Sequence, residues 1–532
     1  MCEVSRDIGR QVGVLVNRVG SVTYVMVGDA HGLHLPDFGR VRAGRDRFRG
    51  LRLIHTHLMG EGLSRDDLTD LALLRLDLCL MTHATASGLP GEGEYAHLLP
   101  PNQIGEHWKI ESFRSVHEIG VDFQQFIREL EGEFRRSVGG QAADTREKAI
   151  IVGVAKRGDP TAQARLDELA GLTESAGVQV IDRVLQYRSA IDPKYVMGRG
   201  KLEDVVISSM QLGADLLIFD QDLRPSQLRS IASRTDLKVL DRTQLILDIF
   251  AQRATSRAGK LQVELAQMRY IMPRLGVMTT AMSRLTGGIG GRGPGETKLE
   301  INKRRANERL TKLKRQLKKL SGQRSMRRRA RERARVPVVG LVGYTNAGKS
   351  TLLNRLTNSA VMAEDRLFAT LDPVSRRLRF PAEREIILTD TVGFIRALPK
   401  DLVAAFKATL EELEVADLLL HVVDASASNV EEQMAAVNQV LDDLDVSDKP
   451  LLLVANKIDA ATDEQRLELT RNRRAVPISA VTGEGCERLL EAIEYALWHQ
   501  QSHVGREETY DPTRRERQWT HGVVSADDLD LN

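Results

Sequence analysis

The sequence is short of cysteine, of aromatic residues and of long apolar runs, and each shortage removes a class of protein. Three cysteines in 532 residues, Cys2, Cys79 and Cys486, are too few and too scattered for a disulfide framework or a cysteine-rich metal cluster. That suits a reducing compartment. No apolar run approaches the roughly 20 residues that span a bilayer. The opening Met1-Cys2-Glu3-Val4-Ser5-Arg6-Asp7 lacks the apolar core of a signal peptide. A cytoplasmic chain with no membrane span is therefore expected. Aromatics make up 4% of the residues, and none falls between Lys303 and Arg335. That stretch has no rings on which single-stranded bases would stack.

What the same stretch does have is charge. Between Lys303 and Arg335 stand sixteen Lys/Arg and two Glu, in a chain whose net charge is +3, so the remainder is net acidic. A positive block of this kind points to a polyanionic partner, and without aromatics it favours phosphate-backbone or duplex contact.

Immediately after the block, the apolar run Val336–Val342 leads into Gly343-Tyr344-Thr345-Asn346-Ala347-Gly348-Lys349-Ser350-Thr351 and then Leu352-Leu353-Asn354-Arg355-Leu356. Strand, glycine-rich loop and helix in that order are the context of a phosphate-binding P-loop. The glycines let backbone N–H groups turn towards phosphate, and the helix N-terminus adds its positive dipole end. Lys349 is expected at the outer phosphates and the Ser350 hydroxyl on Mg²⁺.

Four further signals follow, each placed at a strand end or in a loop beside one. Thr370 has the position of a switch threonine that contacts Mg²⁺ and the γ-phosphate. In Asp390-Thr391-Val392-Gly393, the aspartate would hold Mg²⁺ through water and the Gly393 N–H would sense the γ-phosphate. In Asn456-Lys457-Ile458-Asp459, the Asp459 carboxylate can accept from both N1–H and the exocyclic amine of guanine. Adenine lacks that donor pair, which selects GTP over ATP. Lys457 would pack on the base plane, and Asn456 would tie the base loop to the P-loop. Ser479-Ala480 would present a backbone N–H to guanine O6. Lys349, Thr370 and Gly393 are the residues expected to act on the transferred phosphate. Phe394 stands where Ras-like enzymes carry a water-orienting glutamine, so slow intrinsic hydrolysis and a partner that completes the site are expected. Asn346 resembles the P-loop residue that coordinates K⁺ in some GTPases.

Around this centre the chain reads as a multidomain α/β protein. Residues 1–140 form a mixed α/β extension, with strands at 11–16 and 22–27, a turn at Gly20, a strand at Leu51–His57 and a helical run from Ser64 to Cys79. Its His55-Thr56-His57 and Ser64-Arg65-Asp66-Asp67 resemble the zinc site of JAB/MPN-type metalloproteases, in degenerate form. The His57-to-Asp67 spacing is one residue short, and Glu3 is the only glutamate upstream of the histidines. Residues 148–245 alternate strands and helices as a small parallel α/β domain does. The basic, glycine-bearing loop Pro193–Lys201 leaves RNA contact, a second nucleotide site and a plain surface loop open. Residues 246–335 read as an antiparallel helical hairpin, with apolar stripes at Leu261, Leu265, Met268, Met272, Leu275 and at Ala306, Leu310, Leu313, Leu317, Leu320. Its joint has six glycines in the nine residues from Gly287 to Gly295, more than a turn requires and suited to close approach of a partner. Residues 336–501 are the P-loop GTPase domain, and 502–532 an expected disordered tail.

This order of parts resembles the HflX family of translational GTPases over about residues 148–500. The stretches that carry the likeness are Gly287–Glu296, Gly343–Ser350, Pro193-Lys194-Tyr195 with Gly198-x-Gly200-Lys201, Asp241-Arg242-Thr243, Leu247–Ala254 and Lys260–Gln267. The resemblance implies a GTPase that binds the large ribosomal subunit and splits or rescues ribosomes, with the glycine-rich joint approaching the peptidyl-transferase region of rRNA. A monomer is expected. The competing readings are an ATP-driven RNA remodeller acting through residues 148–245, a passive rRNA-binding assembly factor, and a metalloprotease-like enzyme built from residues 1–140.

Overall fold

Runs of β-branched and leucine residues build three sheets. The computed structural model describes residues 1–33, 35, 48–100, 102, 106–139, 146–235, 237–275, 298–334, 336–357, 368, 374–380, 384–391, 393–396 and 413–498. By internal contacts the chain divides into one unit of residues 1–166 with 177–240, and a second of 167–176 with 241–532.

In the first unit, helix α1 (Cys2–Ile8) precedes strands β1 (Val12–Asn17), β2 (Val22–Val27) and β3 (Leu51–His57). Helix α2 (Arg65–Leu73), strands β4 (Leu78–Ala84), β5 (Pro90–Leu98) and β6 (Trp108–Phe113), and helix α3 (Phe123–Gly139) follow. The sheet runs β2-β1-β3-β4-β5-β6, and β3 and β4 are its parallel pair. Its core gathers Leu15, Leu53, Leu71, Leu76, Cys79, Ala96, Ile127 and Phe134. The helical run expected from Ser64 to Cys79 is shorter than that. Ser64 and Asp67 close a reciprocal cap at its start. At its other end Arg75, at φ 49°, turns the backbone out of the helix. Cys79 then lies on β4.

A second sheet in the same unit has the order β10-β9-β7-β8. It is made of β7 (Lys148–Lys156), β8 (Gln179–Arg188), β9 (Leu216–Phe219) and β10 (Lys238–Asp241), with helices α4 (Ala162–Ser175), α5 (Arg199–Leu212) and α6 (Pro225–Ala232) between them. Strand β7 is buried on both faces, as an interior parallel strand is. The Pro193–Lys201 loop is not a plain surface loop. Tyr195, Val196 and Met197 are inside the core of this sheet, and Arg199 already belongs to α5 and pairs with Glu203 at 2.8 Å.

The second unit opens with α7 (Arg242–Arg253) and α8 (Arg257–Ile271), followed after the glycine-rich segment by the 37-residue α9 (Lys298–Ala334). The joint Gly287–Glu296 and the tail lie outside the described residues. On α9 the expected stripe holds: Ala306 and Leu313 are buried and Leu310, Leu317 and Leu320 half-buried. Helix α8 is buried more broadly than a stripe, at Gln262, Val263, Leu265, Ala266 and Tyr270, and it ends at Ile271 before Leu275. Arg309 grips Glu264 with both nitrogens, at 2.6 and 2.8 Å.

The third sheet has the order β12-β13-β11-β14-β15-β16, parallel except for β12. Its elements are β11 (Val338–Gly343), α10 (Lys349–Thr357), β12 (Val374–Phe380), β13 (Arg384–Asp390), β14 (Leu418–Asp424), α11 (Val430–Asp443), β15 (Leu451–Asn456), α12 (Asp463–Leu467), β16 (Val476–Pro477) and α13 (Cys486–Trp498). Leu341, Leu352, Leu353, Leu388, Leu420, Val422, Ile478, Leu489 and Ile493 form its core. Open parallel sheets bind ligands beyond the carboxyl ends of their strands, and every predicted nucleotide motif among the described residues falls there. No helix among the described residues is long and apolar enough to cross a membrane. Leu420→Ala, which empties a fully buried site on β14, is expected to cost about 2–5 kcal/mol in urea unfolding of the nucleotide-bound protein. A loss below about 1 kcal/mol would mean that this core does not hold the sheet.

Candidate active site

The phosphate loop is shaped by three residues with positive φ: Gly343 at 153°, Asn346 at 62° and Gly348 at 89°. Gly343 and Gly348 also have no room for a side chain. A Cβ at Gly343 would lie 2.2 Å from the Val422 carbonyl oxygen, and one at Gly348 would lie 2.2 Å from Asn456 Nδ2. Lys349, at the start of α10, folds back across the loop and donates to the carbonyls of Gly343 at 3.1 Å and Tyr344 at 2.8 Å. Burial lowers its amine to about 8, against the opposing pull of Asp390. Ser350 Oγ donates to Asp390 Oδ2 at 2.7 Å, so a hydroxyl and a carboxylate meet beside the lysine. Two hard oxygen donors at that place fit Mg²⁺. Thr351 is half-buried on α10, and Thr345 and Ala347 are buried in the loop.

The strand β13 delivers Asp390 and Thr391, both buried, and Thr391 Oγ1 donates to the Leu341 carbonyl at 2.6 Å. Gly393 follows with its Cα hydrogens towards the loop: a Cβ there would come within 2.9 Å of Thr345 Cα and 3.1 Å of Lys349 Nζ. Phe394 is held to the loop by backbone alone. Thr345 N donates to its carbonyl at 2.7 Å, and its own N–H donates to Gly343 O at 3.1 Å. Its ring is 1% exposed and lies in the core, so the position that a water-orienting group would take carries none. Thr370 and Val392 lie outside the described residues.

The base end is set by Asn456 at the close of β15. Its Nδ2 donates to Ala347 O at 2.8 Å and its Oδ1 accepts from Ala480 N at 2.9 Å. Lys457, at φ 62°, is held by Asp424 at 2.7 Å. Asp459 is exposed, its carboxylate available to a base edge. Ser479 is fully buried and its Oγ accepts from Thr482 N at 3.1 Å, while its own N–H donates to Glu484 O at 2.9 Å, as Ala480 N does to Asn456, so both expected N–H groups are engaged within the protein.

Sequence reading missed several members of this site. Asp424 ends β14 and orients Lys457. His421, on the same strand opposite Val342, is 1% exposed; burial, with Lys349 nearby, takes it down to about 4. The Tyr344 hydroxyl donates to Glu168 and accepts from Arg396 N at 2.9 Å, while Arg242 Nη2 reaches the same glutamate at 2.8 Å. Burial and Glu168 raise the Tyr344 phenol. None of these has a local sequence signal, because each partner is remote along the chain.

Two predictions follow from this geometry. Phosphate favours the charged form of Lys349, whose amine sits near 8 in the free protein, so GTP binding takes up a proton above that pH. GTP affinity is expected to fall as pH rises from 7 to 9.5, approaching about tenfold per unit at the alkaline end; a flat profile in a fluorescent-nucleotide titration contradicts it. Asp459→Asn replaces an acceptor pair by a donor, and is expected to weaken GTP by at least about a hundredfold while admitting xanthosine triphosphate. Unchanged GTP affinity would remove Asp459 from the base site.

Comparison with known proteins agrees with the geometry. Residues 163–251 match the family described as GTP-binding GTPase N-terminal, 253–331 the GTP-binding GTPase middle region, and 338–457 the 50S ribosome-binding GTPase family. The GTPase HflX of Lacrimispora saccharolytica is 46% identical over 364 residues, covering 68% of this chain and 86% of the relative. That of Caldanaerobacter subterraneus is 45% identical over 376 residues, 70% of this chain and 86% of the relative. That of Escherichia coli is 46% identical over 357 residues, 66% and 84%. With a P-loop and this likeness in one chain, the protein belongs to the HflX family of GTPases and hydrolyses GTP.

Proposed function

We propose that this GTPase binds the large ribosomal subunit and uses its nucleotide cycle to split or rescue ribosomes, acting as a cytoplasmic monomer. The observation that carries the reading is α9. Residues 303–334 of the positive block lie on this one helix, which ends at Ala334, four residues before the P-loop strand begins at Val338. A helix fixed on rRNA phosphates would bear directly on the loop that holds GTP. The match of residues 338–457 to a family described as ribosome-binding supports the same partner.

In hydrolysis a water oxygen bonds to the γ-phosphorus and the bond to the β–γ bridging oxygen breaks, leaving GDP and phosphate. Lys349, the loop amides and the Gly393 N–H neutralise charge that develops on the phosphate oxygens. Ser350, Thr370 and Asp390 would hold Mg²⁺, which supplies charge neutralisation between the phosphates when bound. Asn346, exposed at the loop crest, is available for K⁺. With Phe394 buried, the group that orients water comes from the ribosome or from a segment that it orders. The centre of the Pro193–Lys201 loop is packed into the core, which does not favour the ATP-driven reading.

Cosedimentation with large ribosomal subunits tests this. Binding is expected to persist with a non-hydrolysable GTP analogue, to fall at least about tenfold with GDP, and to fall in a variant with Gly287–Gly295 replaced by a short polar linker. Equal binding with GDP and analogue would favour the passive assembly factor. Exchange of K⁺ for Na⁺ is expected to slow turnover, and no difference would release Asn346 from that role.

A further inference from the structure

None of the three family matches extends into residues 1–162, so chemistry carried by the first sheet is separate from the GTP site. Strand β3 ends in His55 and His57, which share a face of the sheet and are 0% and 2% exposed. Helix α2 starts eight residues later and presents Asp67 from its first turn. His55 Nε2 lies 3.1 Å from His57 Nε2 and 3.4 Å from Asp67 Oδ1, and His57 Nε2 lies 3.7 Å from Asp67 Oδ2. Among the described residues these three form the cluster able to hold a metal ion.

The separations decide between two explanations. A hydrogen-bonded cluster draws its members to about 2.7–3.2 Å, and two of the three distances are longer. Ligands on a tetrahedral ion with bonds of about 2.0–2.1 Å stand about 3.3–3.4 Å apart, and the three distances straddle that value. Orientation agrees. The Glu61 carbonyl can only accept, so His57 Nδ1, 3.1 Å from it, carries the hydrogen, and the Nε2 lone pair faces the cluster. His83 Nε2 donates to the same carbonyl at 2.9 Å, fixing it in place. His55 Nδ1 has no partner among the described residues, while its Nε2 faces two acceptors, His57 Nε2 and the Asp67 carboxylate; a cation would take the place of the Nε2 hydrogen and leave it on Nδ1.

Opposite His57 the same face carries an amide. Gly13 of β1 pairs with His55, and two residues earlier, in continued register, Gln11 falls opposite His57. Gln11 is 1% exposed and its Nε2 has no partner among the described residues. Of the nearby acids, Glu94 accepts from Leu63 N at 2.8 Å, Glu3 packs beside Gly88 at the β4–β5 turn, and Asp70, one turn after Asp67 on α2, is close enough for the charges of His55 and Asp67 to act on it. An amide cannot take a proton from water as a general base does.

We propose that His55, His57 and Asp67 bind one divalent ion of the zinc class, which makes this domain a metal-binding module. The ion joins the end of β3 to the start of α2 across the loop at residues 58–64. The test uses the full chain without an affinity tag, stripped and titrated with Zn²⁺ or Co²⁺. One equivalent of metal, a visible Co²⁺ spectrum of four-coordinate type, and a rise in the melting temperature of the N-terminal unfolding step are expected. Asp67→Asn and His57→Ala are expected to weaken zinc by at least about a hundredfold in chelator competition while melting as the metal-free wild type does. Substoichiometric binding by the wild type, or wild-type affinity in both variants, overturns the site.

Discussion

The carboxamide of Asn456 is the contact on which the GTP site depends. One end donates to the Ala347 carbonyl and the other accepts from the Ala480 amide, so phosphate loop, β15 and the base loop are held at one spacing. An aspartate there could not donate, and any side chain at residue 348 would collide with Nδ2 at 2.2 Å. The spacing of the phosphate loop and the base loop is thereby built into the protein before a nucleotide arrives, which would let Asp459 read guanine with little reorganisation.

A second tie runs on the other side of the loop. The paired hydrogen bonds between Phe394 and residues 343 and 345 fix Gly393 beside Lys349, and the price is the ring of Phe394, which fills the core where a polar side chain would face water. Tyr344 extends the same tie to Glu168 and Arg242, residues that lie outside the GTPase segment. The loop that holds phosphate is thus in hydrogen-bonded contact with the backbone after Gly393 and with α4 and α7. Such a network couples nucleotide state to neighbouring elements because it has more than one partner to lose.

Much of this was legible in the sequence. The strands at Leu51–His57, Lys238–Asp241 and the GTPase sheet, and the helix Cys486–Trp498, follow from apolar period and flanking breakers. Strand β5, Pro-Gly-Glu-Gly-Glu-Tyr-Ala-His-Leu, was not legible, because two glycines and a proline mask a strand that its neighbours β4 and β6 pair on both sides. The overlong helix after Ser64 failed for a similar reason: nothing local marks Arg75 as the turn. In the site, motif residues were readable where loop chemistry is local. Tyr344 with Glu168, Lys457 with Asp424, and Gln11 against His57 were not, since each pairing is made by the fold alone.

Among the described residues, the nucleotide site carries the buried ring of Phe394 where a water-orienting group would stand. Single-turnover GTP hydrolysis by the pure protein, with and without large ribosomal subunits, tests most directly whether a partner supplies that group. Slow intrinsic turnover and at least about a hundredfold acceleration by the subunit are predicted, within the range that a supplied catalytic group provides. Fast hydrolysis by the protein alone, unchanged by ribosomal subunits, would contradict it.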